Sequence, residues 1–96
     1  MTFSMRKSNV DPRAEKFLRK LPPKHGGQLA RKIEALAENP YPQDSQRLAG
    51  YKGVLRVDSG EYRIIYEATD EWVIVWIVGK RNDSDVYKKL RRLLGR

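Results

Sequence analysis

Apolar residues follow two different periods along this chain, and the period changes partway through it. In residues 14–21 and 29–37 they recur three or four positions apart, which is the spacing of one face of a helix. From residue 53 to residue 80 they stand in short, β-branched runs separated by turn residues, and after residue 85 the helical spacing returns. The pattern therefore predicts two helices, then strands, then a last helix.

The first two helices have recognisable start and stop signals. Asp11 is a suitable N-cap, and the proline that follows it suits the first helical position. A pair of prolines ends this helix, and a second helix is predicted over roughly residues 23 to 38, where Asn39 and the next proline stop it. Because each helix has one apolar face, we expect a hairpin that packs on a sheet and presents a basic outer surface.

Four strands are predicted, and three of them are consecutive. Residues 2 to 8 are a poorly patterned candidate for an edge strand, and residues 40 to 52 are expected to be a connecting loop. The last strand contains the nearly continuous apolar run from Trp72 to Val78, which is typical of an interior strand buried on both faces. The three consecutive strands cover about residues 53–58, 61–68 and 71–80.

Together these elements predict a single α+β domain over residues 1–96. Its parts are an N-terminal edge strand, a helix hairpin packed on a small antiparallel sheet, and a short C-terminal helix capped by Asp83 or Ser84. A chain of 96 residues can fold alone but is too short to enclose a large cofactor. We therefore expect a shallow surface site and no cofactor.

The charge of the chain narrows the choice of partner. Twenty Lys and Arg against twelve Asp and Glu give a formal net charge of +8, so nucleic acid is the leading partner class, although an anionic membrane or an acidic protein would also be attracted. No apolar run is long enough to span a bilayer, and the first seven residues lack the apolar stretch of a signal peptide. With no cysteine in the chain, we expect a soluble cytoplasmic protein.

Familiar catalytic signatures are absent from the sequence. There is no Walker loop, no GxSxG elbow and no HExxH motif. His25 is the only histidine and lies beside two glycines early in the second helix, so a histidine base is not expected. Trp72 and Trp76 stand four apart on one strand, and core packing explains them better than base stacking does.

Arg56, Arg63 and Arg81 come from consecutive predicted strands. Neighbouring antiparallel strands lie only about 4.8 Å apart, so arginines on one face can converge on a phosphate, which the guanidinium fork matches. The turn at residues 59–60 resets the side-chain parity between Arg56 and Arg63 and allows them to share a face. The alternative is that these arginines are exposed and pair with acidic residues of the same strands, namely Asp58, Glu61 or Glu67. Geometry alone leaves both possibilities open.

The stretch from Leu55 to Glu67, followed by Val78-Gly79-Lys80-Arg81 and Asp85-Val86-Tyr87, resembles the RelE toxins of bacterial and archaeal toxin–antitoxin pairs. The similarity covers almost the whole chain and is most specific in residues 55 to 87. It implies a RelE/ParE-like fold and a metal-independent endoribonuclease that cleaves mRNA in the ribosomal A site by attack of the 2′-hydroxyl. It also implies a cognate antitoxin, so we expect a monomer when the toxin is alone and a hetero-oligomer with the antitoxin.

The resemblance also assigns roles to single residues. Arg63 is similar to the arginine that holds the scissile phosphate, Arg81 to the general acid or leaving-group stabiliser, and Arg56 to a basic residue that neutralises the transition state. Tyr87 is similar to the tyrosine that stacks on or orients the nucleotide. The predicted catalytic residues are thus Arg56, Arg63, Arg81 and Tyr87, and the predicted RNA-binding residues are Lys52, Lys80 and Lys88.

This chain departs from the family pattern at three positions. Val54 stands where some members have a further lysine, and Asp58 and Asp83 stand where some have arginine. Because the pKa of arginine lies above about 12, Arg56 is expected to stabilise charge rather than to abstract a proton. Two alternatives to the nuclease are a ParE-like toxin that binds and inhibits DNA gyrase, and a nucleic-acid-binding module without catalysis.

Overall fold

The fold is a five-stranded sheet with helices on both faces. The structure, a computed structural model, describes residues 5–95 of the chain. The strands lie in the order β1-β5-β4-β3-β2, which confirms the predicted α+β class. In chain order the elements are β1 (Lys7–Val10), α1 (Pro12–Lys20), α2 (Pro23–Glu38), β2 (Gln46–Arg47), β3 (Val54–Ser59), β4 (Tyr62–Ala68), β5 (Trp72–Lys80) and α3 (Asp85–Leu94).

The N-terminal strand lies at one edge of the sheet, as predicted, but it pairs in the parallel sense. Lys7 is opposite Trp72 and Val10 is opposite Val75, whereas the other strand pairs are antiparallel. A parallel pair needs a long connection between its strands, and here that connection comprises the two helices and the strands β2 to β4. Residues 5 and 6 of the predicted range 2 to 8 are not in the strand, and β1 continues two residues beyond that range, to Val10; residues 2 to 4 lie outside the described part of the chain.

Local sequence signals explain where the first two helices begin and end. Asp11 caps α1, because its Oδ1 accepts a hydrogen bond of 2.9 Å from the backbone N–H of Arg13. The predicted range of α2 is confirmed, and the helix ends where the backbone of Asn39 becomes extended. The two helices approach closely at Gly26, where a Cβ atom would meet the Leu18 carbonyl at 3.4 Å. The hairpin is therefore close-packed as well as short.

Each face of the sheet has its own hydrophobic core. On one face, α1 and α2 contribute Ala14, Leu29 and Leu36, which pack against strand residues such as Val57 and Ile64. On the opposite face, α3 contributes a smaller group in which Val54, Ile65, Ile77, Val86 and Leu90 are buried. The sheet is thus covered by the hairpin on one side and by a single helix on the other, which leaves part of the second face open.

A β-bulge in β5 alters the expected alternation of side chains. Ile65 is opposite Ile77 and Tyr66 is opposite Val75, so Trp76 has no partner residue on β4. Trp76 and Ile77 consequently both pack in the α3 core, where Trp76 is half-buried. Core packing was the wrong expectation for Trp72, which is 38% exposed and lies under the Lys7 ammonium group.

Two smaller features complete the fold. The predicted loop of residues 40 to 52 contains a strand that the sequence analysis missed: Gln46 and Arg47 pair with Arg56 and Leu55 at the outer edge of the sheet. At the start of α3, the N-cap position belongs to Ser84, but it is the Asp83 side chain that accepts a hydrogen bond from the backbone N–H of Asp85. Within residues 5–95, none of the helices has both the length and the apolar character needed to cross a bilayer.

Candidate active site

The hairpin of β3 and β4 sets the geometry of the candidate site. Ser59 is opposite Tyr62, so the turn contains two residues, and Gly60 has a φ of 62°. A glycine with positive φ in the first position is typical of tight hairpin turns that match the twist of the strands. The resulting register places Asp58 opposite Arg63, with Arg56 two residues before Asp58 on the same face.

Arg56 and Arg63 point to the face that carries α3, because the neighbouring Val57 and Ile64 point into the hairpin core. On that face Tyr87, in the first turn of α3, lies between them. Its hydroxyl oxygen accepts one hydrogen bond of 2.7 Å from Nη1 of Arg56 and another of 2.9 Å from Nη1 of Arg63. The structure thus brings together three of the four residues in the predicted catalytic set.

A second acceptor holds each arginine in place. Gln46 Oε1 accepts from both Nη2 and Nε of Arg56, at 2.6 and 3.2 Å. Asp58 accepts from Arg63 at 2.8 Å through Nε and at 3.4 Å through Nη2. A guanidinium has five N–H donors, and three on each arginine are engaged in these bonds, so two remain for an anion. A cavity of about 60 Å³ lies beside the pair, lined by Asp44, Gln46, Arg56, Val57, Asp58 and Arg63.

The ion pair of Asp58 and Arg63 shapes the electrostatics of the site. The hydrogen bond from Arg63 holds the pKa of Asp58 below its ordinary value; the charges of Arg63, Arg56 and Arg81 act in the same direction, and burial opposes them. The same bond raises the pKa of Arg63. The Arg63 side chain is only 16% exposed, whereas that of Asp58 is 42% exposed. A fixed positive charge is therefore held in a mostly dry position beside a carboxylate that water reaches.

Arg81, the fourth residue of the predicted catalytic set, lies outside the hydrogen-bonded cluster. It follows β5 directly, and its backbone N–H donates to the Glu61 carbonyl at 3.0 Å, which anchors the turn beside the β3–β4 hairpin. Its side chain is exposed and, within residues 5–95, forms no hydrogen bond or ion pair. Its charge nevertheless contributes to the lowered pKa of Asp58, so it lies within electrostatic reach of the cluster.

The three predicted RNA-binding lysines are exposed and lie outside the hydrogen-bonded cluster. Lys52 precedes β3, Lys80 ends β5, and Lys88 follows Tyr87 on α3. In the described part of the chain none of them forms a hydrogen bond or ion pair with a cluster residue. His25, which was not expected to act as a base, packs edge-on against Tyr62 at a centroid distance of 5.7 Å, away from the cluster.

Sequence reasoning missed one member of the cluster and misjudged another. Gln46 gave no signal, because it stands in a stretch without apolar periodicity that was predicted to be a loop. Asp58 was named as a departure from the family pattern and as a possible partner of exposed arginines, in an alternative to their convergence. In the structure both descriptions hold, since Arg63 pairs with Asp58 and also meets Arg56 through the Tyr87 hydroxyl.

Among the described residues, no three His, Asp or Glu side chains are grouped so that they could hold a metal ion.

Comparison with known proteins gives consistent matches over most of the chain. Residues 9–84 match the family described as the ParE toxin of the type II toxin–antitoxin system parDE. The chain is 38% identical over 93 residues to the mRNA interferase toxin RelE of Escherichia coli K12, an alignment that covers 90% of this chain and 95% of that protein.

Solved structures give the same picture. The free state of a doubly mutated E. coli toxin RelE superposes with a TM-score of 0.78 at 29% identity, covering 93% of this chain and 98% of that one. The toxin in the intact E. coli RelBE toxin–antitoxin complex superposes with a TM-score of 0.69 at 29% identity, covering 81% and 99%. An archaeal RelE in a RelE–RelB complex from Pyrococcus horikoshii OT3, at 22% identity and a TM-score of 0.73, has the same fold.

Proposed function

Because this chain belongs to the RelE/ParE family of toxins of type II toxin–antitoxin systems, we propose that it is a toxin that cleaves mRNA in the ribosomal A site. The single observation that carries the proposal is the hydroxyl of Tyr87 held between Arg56 and Arg63, with free N–H donors left on both guanidiniums. Two fixed arginines that share one tyrosine hydroxyl form a preorganised site for a phosphodiester.

The proposed reaction is a transesterification. The 2′-hydroxyl oxygen of one nucleotide attacks the adjacent phosphorus, a 2′,3′-cyclic phosphate forms, and the bond to the 5′-oxygen of the next nucleotide breaks. The proton of the 2′-hydroxyl passes to solvent or to a nearby base, and the leaving 5′-oxygen takes up a proton. Every atom is accounted for by substrate and water, so the contribution of the protein is positioning and stabilisation of negative charge.

Each member of the site has a proposed part in this reaction. Arg63, whose side chain is mostly buried, binds the equatorial oxygens of the phosphate, and Arg56 neutralises the charge that builds up on them. Arg81, which is exposed and near the cluster, stabilises the leaving oxygen. Tyr87 orients both arginines through its hydroxyl, and Lys52, Lys80 and Lys88 attract the RNA backbone from the surrounding surface.

An identity of 38% to a protein named as an mRNA interferase supports RNA cleavage over inhibition of gyrase. We further propose a cytoplasmic protein that is monomeric alone and is silenced in a hetero-oligomer with a cognate antitoxin. The support for the antitoxin is the similarity to a toxin solved together with RelB, and the net charge of +8 favours an acidic partner.

The test is to incubate purified protein with ribosomes translating a defined mRNA and to map the RNA ends by primer extension. Wild-type protein should create new 5′ ends within the A-site codon, and Arg63→Ala should not. Arg19→Ala is the matched control, because it also removes an arginine with a carboxylate partner at 2.8 Å, on the outer face of α1. If wild-type protein leaves the mRNA intact but inhibits purified gyrase, the nuclease proposal is wrong.

A further inference from the structure

Tyr41 is an exposed aromatic ring on a firmly anchored backbone. Its side chain is 49% exposed, yet its backbone N–H donates to Asn39 Oδ1 at 3.1 Å. The preceding residue, Pro40, is buried, and its carbonyl accepts a hydrogen bond of 2.6 Å from the hydroxyl of Tyr66, itself fully buried. An aromatic side chain that is held out into solvent by a fixed backbone is suited to contact with a partner.

Two arginines from distant parts of the chain lie over this ring. The guanidinium carbon of Arg6 is 5.9 Å from the ring centroid of Tyr41, and that of Arg47 is 6.0 Å from it. Arg6 is fixed at the other end of its guanidinium by a 2.7 Å hydrogen bond from Nε to the carbonyl of Thr69. Both guanidiniums lie over the ring at the outer limit of a cation–π contact, so they add positive charge at a ring that stays half exposed.

The ring also borders a cavity beside β2. This cavity has a volume of about 510 Å³, within the range of small-molecule sites, and Arg47, Tyr51 and Lys52 line it together with Tyr41. The lining that residues 5–95 provide includes no acidic side chain. Val54, which also lines this cavity, lies two residues before Arg56 on β3 and on the same face of the sheet, and two strand residues span only about 7 Å. A single strand bound at the arginines can therefore extend into this cavity.

We propose that Tyr41, with Arg6 and Arg47 beside it, is a stacking platform for a base of the substrate RNA next to the scissile phosphate. The proposal deepens the proposed function and rests on it. An aromatic face flanked by cations, in a cavity without carboxylates, suits a nucleotide, whose base stacks while its phosphate meets the positive charge. Lys52 on the cavity wall is placed to meet that phosphate, which gives this predicted RNA-binding lysine a local partner.

The test measures binding of a short fluorescein-labelled single-stranded RNA whose scissile nucleotide carries 2′-hydrogen instead of 2′-hydroxyl, so that it is not cleaved. Tyr41→Ala and Tyr41→Leu should each weaken binding about fivefold or more, because both remove the aromatic face. Tyr41→Phe should bind within about twofold of wild type, since stacking needs the ring and not the hydroxyl. In the ribosome assay, the same two weakened variants should raise KM and leave kcat at saturation unchanged.

Abasic substitutions in the RNA identify the stacked nucleotide. One abasic position should weaken binding to the wild-type protein but have no further effect on Tyr41→Ala, because the two changes remove the same contact. All variants should have a Tm close to that of the wild type, because Tyr41 is half exposed.

Three results would overturn the platform. The first is that Tyr41→Ala binds RNA as tightly as the wild type, and the second is that Tyr41→Leu does so. The third is that Tyr41→Ala loses antitoxin binding while its RNA binding is intact, in which case this surface is a protein interface. In all three cases a wild type that still cleaves mRNA leaves the proposed function standing. A wild type that neither binds nor cleaves RNA removes both.

Discussion

Arg63→Ala and Arg81→Ala should have the same effect on cleavage and different effects on stability. Each variant removes one preorganised donor for the phosphate, and the loss of such a donor typically lowers the rate by about 10²–10³. The two arginines differ in what they contact. Arg63 is 16% exposed, pairs with Asp58 and donates to Tyr87, whereas the exposed Arg81 side chain forms no hydrogen bond or ion pair within residues 5–95.

The contacts of Arg63 set the size of the stability change. Its ion pair is worth at most about 1 kcal/mol, because water reaches Asp58 and screens the pair. Loss of the hydrogen bond to the Tyr87 hydroxyl costs roughly 1 kcal/mol more. This is the lower end of the range for a buried polar group that loses a partner, because Arg56 still donates to that hydroxyl. A loss of about 1–2 kcal/mol in a domain of this size lowers Tm by about 4 °C or more. Arg81→Ala should stay within about 0.5 kcal/mol of wild type.

Primer extension on translating ribosomes and thermal melting of the purified variants, side by side, measure both quantities. Arg19→Ala provides the control for loss of an ion pair at a distance from the site, and it should cleave at the wild-type rate. The reasoning fails if Arg81→Ala cleaves at nearly the wild-type rate. It also fails if Arg63→Ala loses cleavage but melts with the wild type, since the contacts described here would then contribute nothing.

Three further predictions concern the ion pair and the packing around the site. The pKa of Asp58 is lowered in the folded protein, so its ionised form stabilises the fold at pH values above the ordinary pKa of 3.8, and this contribution is lost as pH falls below that value. The free energies of unfolding of wild type and Asp58→Asn should therefore differ at pH 7 and converge in acid, and a constant difference would contradict the pairing. Tyr66→Phe should lower the free energy of unfolding in urea by about 1–3 kcal/mol, because it leaves the buried Pro40 carbonyl without its hydrogen-bond donor. In the wild type, burial raises the pKa of Tyr66 to about 12, and a phenol that titrates near 10 in the folded protein would contradict this burial. Gly79→Ala should lower the free energy of unfolding by about 1–3 kcal/mol, because the new Cβ would lie 2.9 Å from Cγ1 of the buried Val86 and would push α3 away from the sheet. An unchanged Tm would show that the structure accommodates the methyl group without strain.

Most element boundaries could be predicted because the chain marks them with residues of restricted conformation. Asp11 caps α1, Asn39 ends α2, and Gly60 makes the hairpin turn, and the three consecutive strands begin within one residue of their predicted positions. These signals are local, so one sequence suffices to see them.

Features that depend on distant residues could not be predicted in the same way. The strand containing Gln46 is two polar residues long and exists only because β3 lies beside it. The bulge at Trp76 and the parallel pairing of β1 likewise depend on neighbours far along the chain, which a periodicity does not encode.

The site shows the same division. The shared face of Arg56 and Arg63 follows from the parity of a two-residue turn and was foreseen. The approach of Tyr87 to both arginines depends on how α3 docks on the sheet, and no local pattern reports that; only the family resemblance indicated it. That these residues catalyse cleavage stays a prediction until the variants are assayed.

The position of Tyr87 along the chain has a consequence for biosynthesis. The residue follows every strand of the sheet in chain order, and β1 must wait for partners sixty-five positions further along the chain. At a synthesis rate of about 5–20 residues per second, several seconds pass in which β1 has been made but its partner strand β5 has not. Only when α3 has followed β5 does a tyrosine hydroxyl reach the two guanidiniums. The nascent polypeptide thus cannot complete its arginine cluster before the ribosome that makes it has translated all five strands and the start of α3.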